Sequence, residues 1–419
     1  MLVFYLFAAL VVWLGIVSLR GGVRYLAYVR SEMAKEREGF APFATIIAPC
    51  RGLDQGLREN ISALFIQQYP AYEIIFVSDS GADPAFAVIE EVRRELEPQS
   101  TARARVCVAG EAKACGQKVH NLRAAVLQAD SLSELFVFVD TDARPDPYWL
   151  SSLVAPLADE GALGAVTGYR WFIPVRGGLA SRLRAVWNAS IASALGERTG
   201  QNFCWGGSTA IRRTTFERLN MMDEWRGALS DDFAMTRALK RAKLPIHFTP
   251  CCLTASFDDC SFRELLEFTT RQMKITRVYA PHLWKAALLG SLLFVLVFFG
   301  GLSLVIIRAA LGLSFVAPLT LLTIIYLLGV WKAYLRLRAV MLALAPHRAD
   351  LDRDAPAQLL LWPLASAIYL YNTLAAAFSR RIRWRGISYE LKSPKETVII
   401  PRVRSEETIN ATETARRAQ

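Results

Sequence analysis

The chain of 419 residues has no C-x-x-C pair, although it holds seven cysteines, at positions 50, 107, 115, 204, 251, 252 and 260. Zinc-ribbon spacing is therefore excluded, and an odd count argues against a disulfide framework. The thiols read as small buried apolar residues. Two nucleotide signatures are also missing. There is no G-x-x-x-x-G-K loop and no G-x-G-x-x-G after a strand, so P-loop ATPase and dinucleotide readings lose their main support. Histidine is scarce, with four in all. His120 and His247 have no acid or cysteine at ligand spacing and read as structural.

Charge is missing from three long stretches: Leu2–Leu19, Ala286–Ile307 and Ala309–Trp331. Each is about the length a helix needs to cross a bilayer. A fourth uncharged run, Ala355–Ser379, is interrupted by Pro363. Hydrophobic residues make up 53% of the chain and the mean hydropathy is +0.25, so a multi-pass integral membrane protein is expected. The first run has no basic flank ahead of it and no small-x-small cleavage site after it, which favours an anchor over a signal peptide. Arg20, Arg24 and Arg30 follow it with no acid before Glu32. The positive-inside rule then puts the next domain in the cytoplasm and the N-terminus outside.

The net charge of +11 raises nucleic acid as a partner, but no nucleic-acid motif accompanies it. The excess sits beside apolar runs, at Lys332, Arg336 and Arg338 and at Arg380, Arg381, Arg383 and Arg385. That placement suits anionic headgroups, so the expected partner is the membrane and not nucleic acid. Four full crossings would leave the basic tail outside. We therefore expect Ala355–Ser379 to be re-entrant or interfacial. The expected organisation is an N-terminal span over 1–22, a cytoplasmic domain over 40–283, a membrane region over 284–380 and a basic tail over 381–419. The last stretch, 405–419, is polar and reads as disordered.

The middle segment alternates β runs with helical patterns. "FATIIAPC", "YEIIFVSDS", "ARVCVAG" and "ELFVFVD" read as strands. "GLRENISALFIQQYP", "DPAFAVIEEVRREL" and "KVHNLRAAVLQA" between them read as helices, the second with Asp83 as N-cap and Pro84 in its first turn. The pattern predicts an α/β domain with a mainly parallel sheet, covered on both faces. Ligands of such sheets sit beyond the carboxyl ends of the strands. Asp79 ends one strand and Asp140-Thr141-Asp142 end another. Three acids on one edge need positive charge, and oxygen-only ligands of this kind suit Mg²⁺ or Mn²⁺ together with a substrate diphosphate. Asp146 reads as a turn residue. Asp231 and Asp232 open a helical pattern, where the macrodipole alone favours acids. Successive helical residues diverge, so at most one of the two is expected to face the site.

These motifs, in this order, resemble the family-2 glycosyltransferases with a GT-A nucleotide-diphospho-sugar transferase domain, and in particular the ceramide glucosyltransferase-like branch. "PCRGLD" is similar to that branch's P-x-K-G element, with Arg51 for lysine. "VSDSGADPA" supplies Asp79, "GQKVHNL" supplies Lys118 and Asn121, and "VDTDA" is the D-x-D. The resemblance implies Asp232 of "LSDDFAMTRAL" as general base, with Asp231 beside it. It implies Asp140 and Asp142 as holders of the metal, and Arg51, Asp79, Lys118 and Asp140 as contacts of the nucleotide sugar. The family's closing Q/R-x-x-R-W is nearest to "RQMKI", where Lys274 and Ile275 replace arginine and tryptophan. Arg271, Lys274 and Arg277 are the candidates for the leaving diphosphate, and Trp205 for the acceptor. Altered R-W and few spans count against the rival reading as a processive polysaccharide synthase. Retained site acids count against a non-catalytic nucleotide-binding adaptor.

The implied activity is inverting transfer of one sugar from a UDP-sugar to a lipid acceptor: a ceramide, hopanoid, diacylglycerol or polyprenyl phosphate. "GLASRLRAVWNASIASALGE" and "SFRELLEFTTRQMKITRVYAPHLWK" carry apolar and basic residues at helical spacing. Both are expected to lie at the membrane interface.

Overall fold

In the computed structural model, residues 1–35, 39–159 and 161–401 are described. The disorder expected over 405–419 falls outside them. A long helix, α1 (Leu2–Met33), leads into a seven-stranded sheet. The first half follows the predicted alternation: β1 (Ala44–Pro49), α2 (Leu57–Phe65), β2 (Tyr72–Ser78), α3 (Pro84–Leu96), β3 (Ala102–Val108), α4 (Gln117–Gln128) and β4 (Leu135–Val139). Strands β1, β2 and β4 are buried throughout or nearly so, as unbroken apolar runs require. Asp83 caps α3 by accepting the Ala85 N–H, and Pro84 takes the first turn, where its missing donor costs nothing.

After β4 come α5 (Trp149–Val154), β5 (Ala165–Ile173), α6 (Leu179–Ala192), β6 (Ser208–Arg212), α7 (Arg213–Arg218), α8 (Met221–Glu224), α9 (Asp231–Arg241) and β7 (Ile246–Phe257). Strand order is β3-β2-β1-β4-β6-β5-β7. Every pairing is parallel except those of β6, which runs against both β4 and β5. The mainly parallel sheet is therefore observed, with one reversed strand. Its two faces hold separate cores. One centres on Tyr72, Phe76 and Trp149, the other on Phe138, Phe216 and Trp225. Fully burying an aromatic side chain of this kind contributes on the order of 1.5–3 kcal/mol.

The chain continues through α10 (Phe262–Tyr279), α11 (Pro281–Ala310), α12 (Val316–Ala343), α13 (Arg348–Leu360) and α14 (Trp362–Phe378). Helices α1, α11 and α12 are long and apolar enough to cross a membrane. Helices α13 and α14 are bent by 68° at their break, where Pro363 enters the first turn of α14. Trp362, at the bend, lies against Phe294, Phe298 and Tyr326 of α11 and α12. A Cβ added at Gly329 of α12 would meet its indole at 2.2 Å, so only glycine admits the bend there.

Two expectations need correction. Helix α6 was expected to lie on a membrane surface. Instead it is enclosed by β5, α10, α13 and α14, and ten of its fourteen residues are buried. Its basic Arg184 is buried and donates to the Asp258 carboxylate at 2.7 Å. The second concerns the basic tail. Residues 381–400, for which no secondary structure was read, form a three-stranded antiparallel sheet, β8 (Arg381–Trp384), β9 (Ile387–Ser393) and β10 (Glu396–Ile400). Ile382, Tyr389 and Leu391 from it pack on Leu229, Ile275 and Tyr279 of the α/β domain. Arginines alternate with apolar residues there, so the strand period buries one face and leaves the charges on the other.

Candidate functional site

β1, β2 and β4 run in the same direction, so residues 50–51, 79 and 140–142 reach one edge of the sheet. The reversed β6 starts at that edge too, since Ser208 pairs with Val139. Its direction carries the loop Trp205-Gly206-Gly207 in front of the two β4 aspartates. The N-terminus of α9 arrives from the other side. A Cβ at Gly206 would stand 2.2 Å from Asp231 Oδ2 and 2.8 Å from Lys118 Nζ, so the loop passes closely only because that residue is glycine.

The acids are held by cations of the chain itself. Lys118 Nζ lies 2.6 Å from Asp140 and 3.4 Å from Asp231. Arg170, from the middle of β5, grips Asp142 with both amino groups at 3.0 and 2.8 Å, and its Nη2 also donates to Asp140 at 3.1 Å. Burial opposes the Asp142 charge, yet the Arg170 guanidinium prevails and holds that carboxyl below its usual range. Asp231 behaves differently. Its pKa is raised to about 6, first by burial and then by repulsion from Asp232 and Asp140, against the pull of Lys118.

The two α9 acids both line the same cavity, against the expectation that at most one would. The helix presents its end, not its side, and residues of the first turn can then both look forward. Asp232 is oriented: its Oδ1 accepts from Ser230 Oγ and from the Phe233 N–H, while Oδ2 accepts a long bond of 3.4 Å from Gly206 N–H. Asp231 is buried against Lys118.

A cavity of about 1220 Å³ collects these groups. Arg51, Lys118, Asp140, Asp142, Trp205, Asp231, Asp232 and Arg271 all line it. Three expected residues do not. Asp79 stays behind Arg51, paired with it at 3.4 Å. Lys274 donates to the Arg381 carbonyl at 2.7 Å, and Arg277 donates to the Ala376 carbonyl, so each ties α10 to a neighbouring element instead of facing the site. Ile275, by contrast, reaches the cavity wall and also packs on the tail sheet, in the cluster with Tyr389 and Leu391. The histidines read as structural have ordinary partners: His120 meets the Ala109 carbonyl, and His247 meets Glu32.

Arg170 was missed. Its signal was available, an arginine inside the apolar strand "AVTGYRWFI", where a buried guanidinium requires an acid. Its ring contacts reach Trp205 at 4.8 Å and Phe172 at 5.4 Å. Asp54, Trp384, Arg385 and Tyr389 also line the cavity, the last three from the tail sheet. No local pattern in the tail announced that.

Among the described residues no cluster of three or more His, Cys, Asp or Glu is placed to hold a metal ion. The β4 pair still fits one in donor chemistry. A single nitrogen, Arg170 Nη2, touches both carboxylates, at 3.1 and 2.8 Å, so one cation can do the same.

With this geometry in view, the relationships are informative. The glycosyl transferase family 21 model matches residues 4–397. Ceramide glucosyltransferase 1 of Caenorhabditis elegans is 24% identical over 204 residues, covering 47% of this chain and 42% of that protein. Ceramide glucosyltransferase 3 of the same organism is 29% identical over 126 residues, covering 29% of this chain and 27% of that protein. The matched stretches thus span less than half of either relative. Among solved structures, a Pyrobaculum calidifontis mannosyltransferase in complex with GDP-Man and Mn²⁺ aligns over 89% of this chain and 98% of its own. Its TM-score is 0.43 at 17% identity, too distant to bear on the chemistry. The motif order pointed to family 2 and its ceramide glucosyltransferase-like branch; the branch agrees with these relatives, while the number of the matching family is 21. The family match runs from the first apolar helix through the tail sheet, and the chain belongs to glycosyl transferase family 21.

Proposed function

We propose that this protein moves a single sugar from a nucleotide diphosphate, a UDP-hexose by the motif order, to a lipid acceptor, with inversion at the anomeric carbon. One observation carries the reading. The cavity that holds Asp140, Asp142 and Asp232 at one end is walled at the other by Ala286, Ala287, Gly290 and Phe294 of the apolar helix α11. A polar reaction centre and a largely apolar wall of a membrane-length helix share one cavity, as suits a substrate with a hydroxyl head and hydrocarbon tails.

Asp232 takes the proton of the acceptor hydroxyl. Its Oδ1 accepts from two donors, while Oδ2 has only the long bond from the Gly206 N–H, which makes Oδ2 the freer oxygen to act as base. Attack in line with the departing diphosphate inverts the anomeric centre. Asp140 and Asp142 would hold the divalent ion, Mg²⁺ or Mn²⁺, which when bound neutralises the leaving diphosphate as a Lewis acid. Arg170 then gives up part of its hold on the pair, and its stack on Trp205 keeps it near. Lys118 compensates Asp140 and Asp231 throughout. Arg271 adds positive charge toward the diphosphate, and Arg51, backed by Asp79, lies where the nucleoside would sit. Trp205 offers a ring to the acceptor.

Packing supports one membrane arrangement. The tail sheet and the α/β domain touch, so they share one side, taken as cytoplasmic from the arginines after the first span. The elements between them cross an even number of times. Helices α11 and α12 account for two crossings, and the bent pair α13–α14 turns back within the bundle. The test is to incubate purified protein with a panel of UDP- and GDP-sugars and a lipid extract, with and without Mn²⁺, and to read the lipids by mass spectrometry. A glycolipid carrying one sugar supports the proposal, and absence of product in every condition overturns it.

A further inference from the structure

The two-residue turn between β8 and β9 is Arg385-Gly386, with φ of 47° and 79°. Both values are left-handed, as a tight type I′ hairpin turn demands. Glycine adopts that conformation freely, but arginine does so at a cost, and asparagine or aspartate would be the ordinary choice. A residue kept in a costly conformation directs attention to its side chain. Here the guanidinium enters the cavity of the β4 acids. It makes two bonds to the Asp54 carboxylate, 2.6 and 2.8 Å, and a longer one, 3.4 Å, to the Arg51 carbonyl.

The residue before it, Trp384, is also on the cavity wall. Its ring lies 5.4 Å from the Arg271 guanidinium, and Phe268 lies 5.4 Å from the same group. Arg271 is thus held between two aromatic rings with no acid paired to it among the described residues. Burial lowers its pKa to about 10, and repulsion from Arg385 and Arg170 adds to that. Arg51 keeps a buried Nη1 with no hydrogen-bond partner. Lys118 and Arg170 are consumed by the site acids, whereas Arg51, Arg271 and Arg385 converge on one wall with donors left over. Arg51 is shared with Asp79 and Arg385 with Asp54, while Arg271 has no acid, so three guanidinium groups set against two carboxylates in a half-buried pocket are arranged for an anion with several oxygens.

We infer that the β8–β9 hairpin is part of the donor site: Arg385, with Arg271 clamped by Trp384, binds the diphosphate of the sugar nucleotide. This rests on the nucleotide-sugar reading above. It also accounts for the altered motif on α10. Lys274 and Ile275 anchor the tail sheet, and the sheet returns a tryptophan and an arginine to the cavity from a segment more than a hundred residues later. Arg385 exchanges Asp54 for phosphate oxygens when the donor enters.

The test uses the full-length protein in detergent and measures binding of UDP and UMP by calorimetry. The wild type is expected to bind UDP more tightly than UMP. Arg385→Ala is expected to weaken UDP by roughly tenfold or more while leaving UMP little changed, and Arg385→Lys to recover part of the loss. Asp54→Ala separates contact from scaffolding, because it breaks the same ion pair from the other side. A diphosphate-binding Arg385 is then freed, and UDP binding stays equal or tightens. If Asp54→Ala weakens UDP as much as Arg385→Ala does, the pair merely holds the hairpin in place and the inference fails. An unchanged UDP preference in Arg385→Ala also overturns it, with the nucleotide-sugar reading intact. A wild type that binds neither UDP nor GDP removes both.

Discussion

The two ends of the cavity follow opposite electrostatic rules. At the sheet edge every carboxylate has an internal cation or a helix end facing it, so the site is charged yet nearly balanced before any substrate arrives. At the α11 end Ala286, Ala287, Gly290 and Phe294 give a largely apolar wall, with His282, Ser291 and Lys332 as its polar members. The balanced end costs little to maintain because removal of solvent is offset by short ion pairs, although those pairs must reorganise when a donor binds. The apolar end needs no reorganisation, since hydrocarbon is recognised by space alone. Under the proposed function, specificity for the donor is then electrostatic, and tolerance for the acceptor is a matter of volume.

The sharpest way to break that comparison is at the base. Asp232→Asn keeps the shape of the polar end and removes its basic oxygen. Turnover is expected to fall by about 10²–10⁴-fold with UDP affinity retained, as read from initial rates beside calorimetry. Full activity in this variant would move the base elsewhere. Next comes the balance itself. Asp142→Ala leaves Arg170 without its two-pronged partner and, on the proposed function, removes one ligand of the divalent ion. Donor affinity is expected to drop by roughly tenfold to a hundredfold, and chelation of divalent ions from the wild type should reproduce most of that loss.

A smaller and opposite signature is expected from the apolar end. Nothing lies within 4 Å of a Cβ built on Gly290, so Gly290→Phe is accommodated by projecting into open space. It should raise the acceptor KM by about tenfold and leave the donor KM unchanged. Equal changes in both constants would show that the two ends are not independent.

The smallest effect concerns Asp231 and pH. Its native pKa, about 6, lies above the ordinary value of 3.8. The native state therefore holds a proton that the unfolded chain has released, and the stability from this group is present below about pH 4 and lost as pH rises through 6. In Asp231→Asn that dependence disappears. Between pH 4 and 7 the variant should gain about 1–3 kcal/mol relative to the wild type, measured as the difference in chemical-denaturation midpoints at the two pH values.

How much of this was legible depended on the range of the interaction. "ELFVFVD" became β4 with one residue trimmed at each end, because an unbroken apolar run bounded by turn residues has few other solutions. Asp83 and Pro84 marked the start of α3 for equally local reasons. By contrast, "STAIR" gave no sign that β6 would run against its neighbours, yet that reversal brings Trp205 and Gly206 to the β4 acids. Lys274 and Arg277 have the right charge for a diphosphate, but α10 turns them to the tail and to α14. Charge and spacing identify candidates; the helix phase and its neighbours choose among them.

Periodicity, turn chemistry and absent charge were sufficient in the sequence alone to establish a parallel α/β domain, the apolar helices and the arrival of Asp79, Asp140 and Asp142 at one sheet edge, whereas Asp232 came from the family resemblance. These are properties of short segments and of the handedness of βαβ units. Tertiary structure alone decided that Arg170 balances the two β4 aspartates and that both α9 acids face the cavity. It alone also folded the basic tail back as a sheet, with Trp384 and Arg385 beside the site. Those outcomes arise where segments far apart in the chain compete to bury apolar surface and compensate charge, and no local pattern records the winner of that competition.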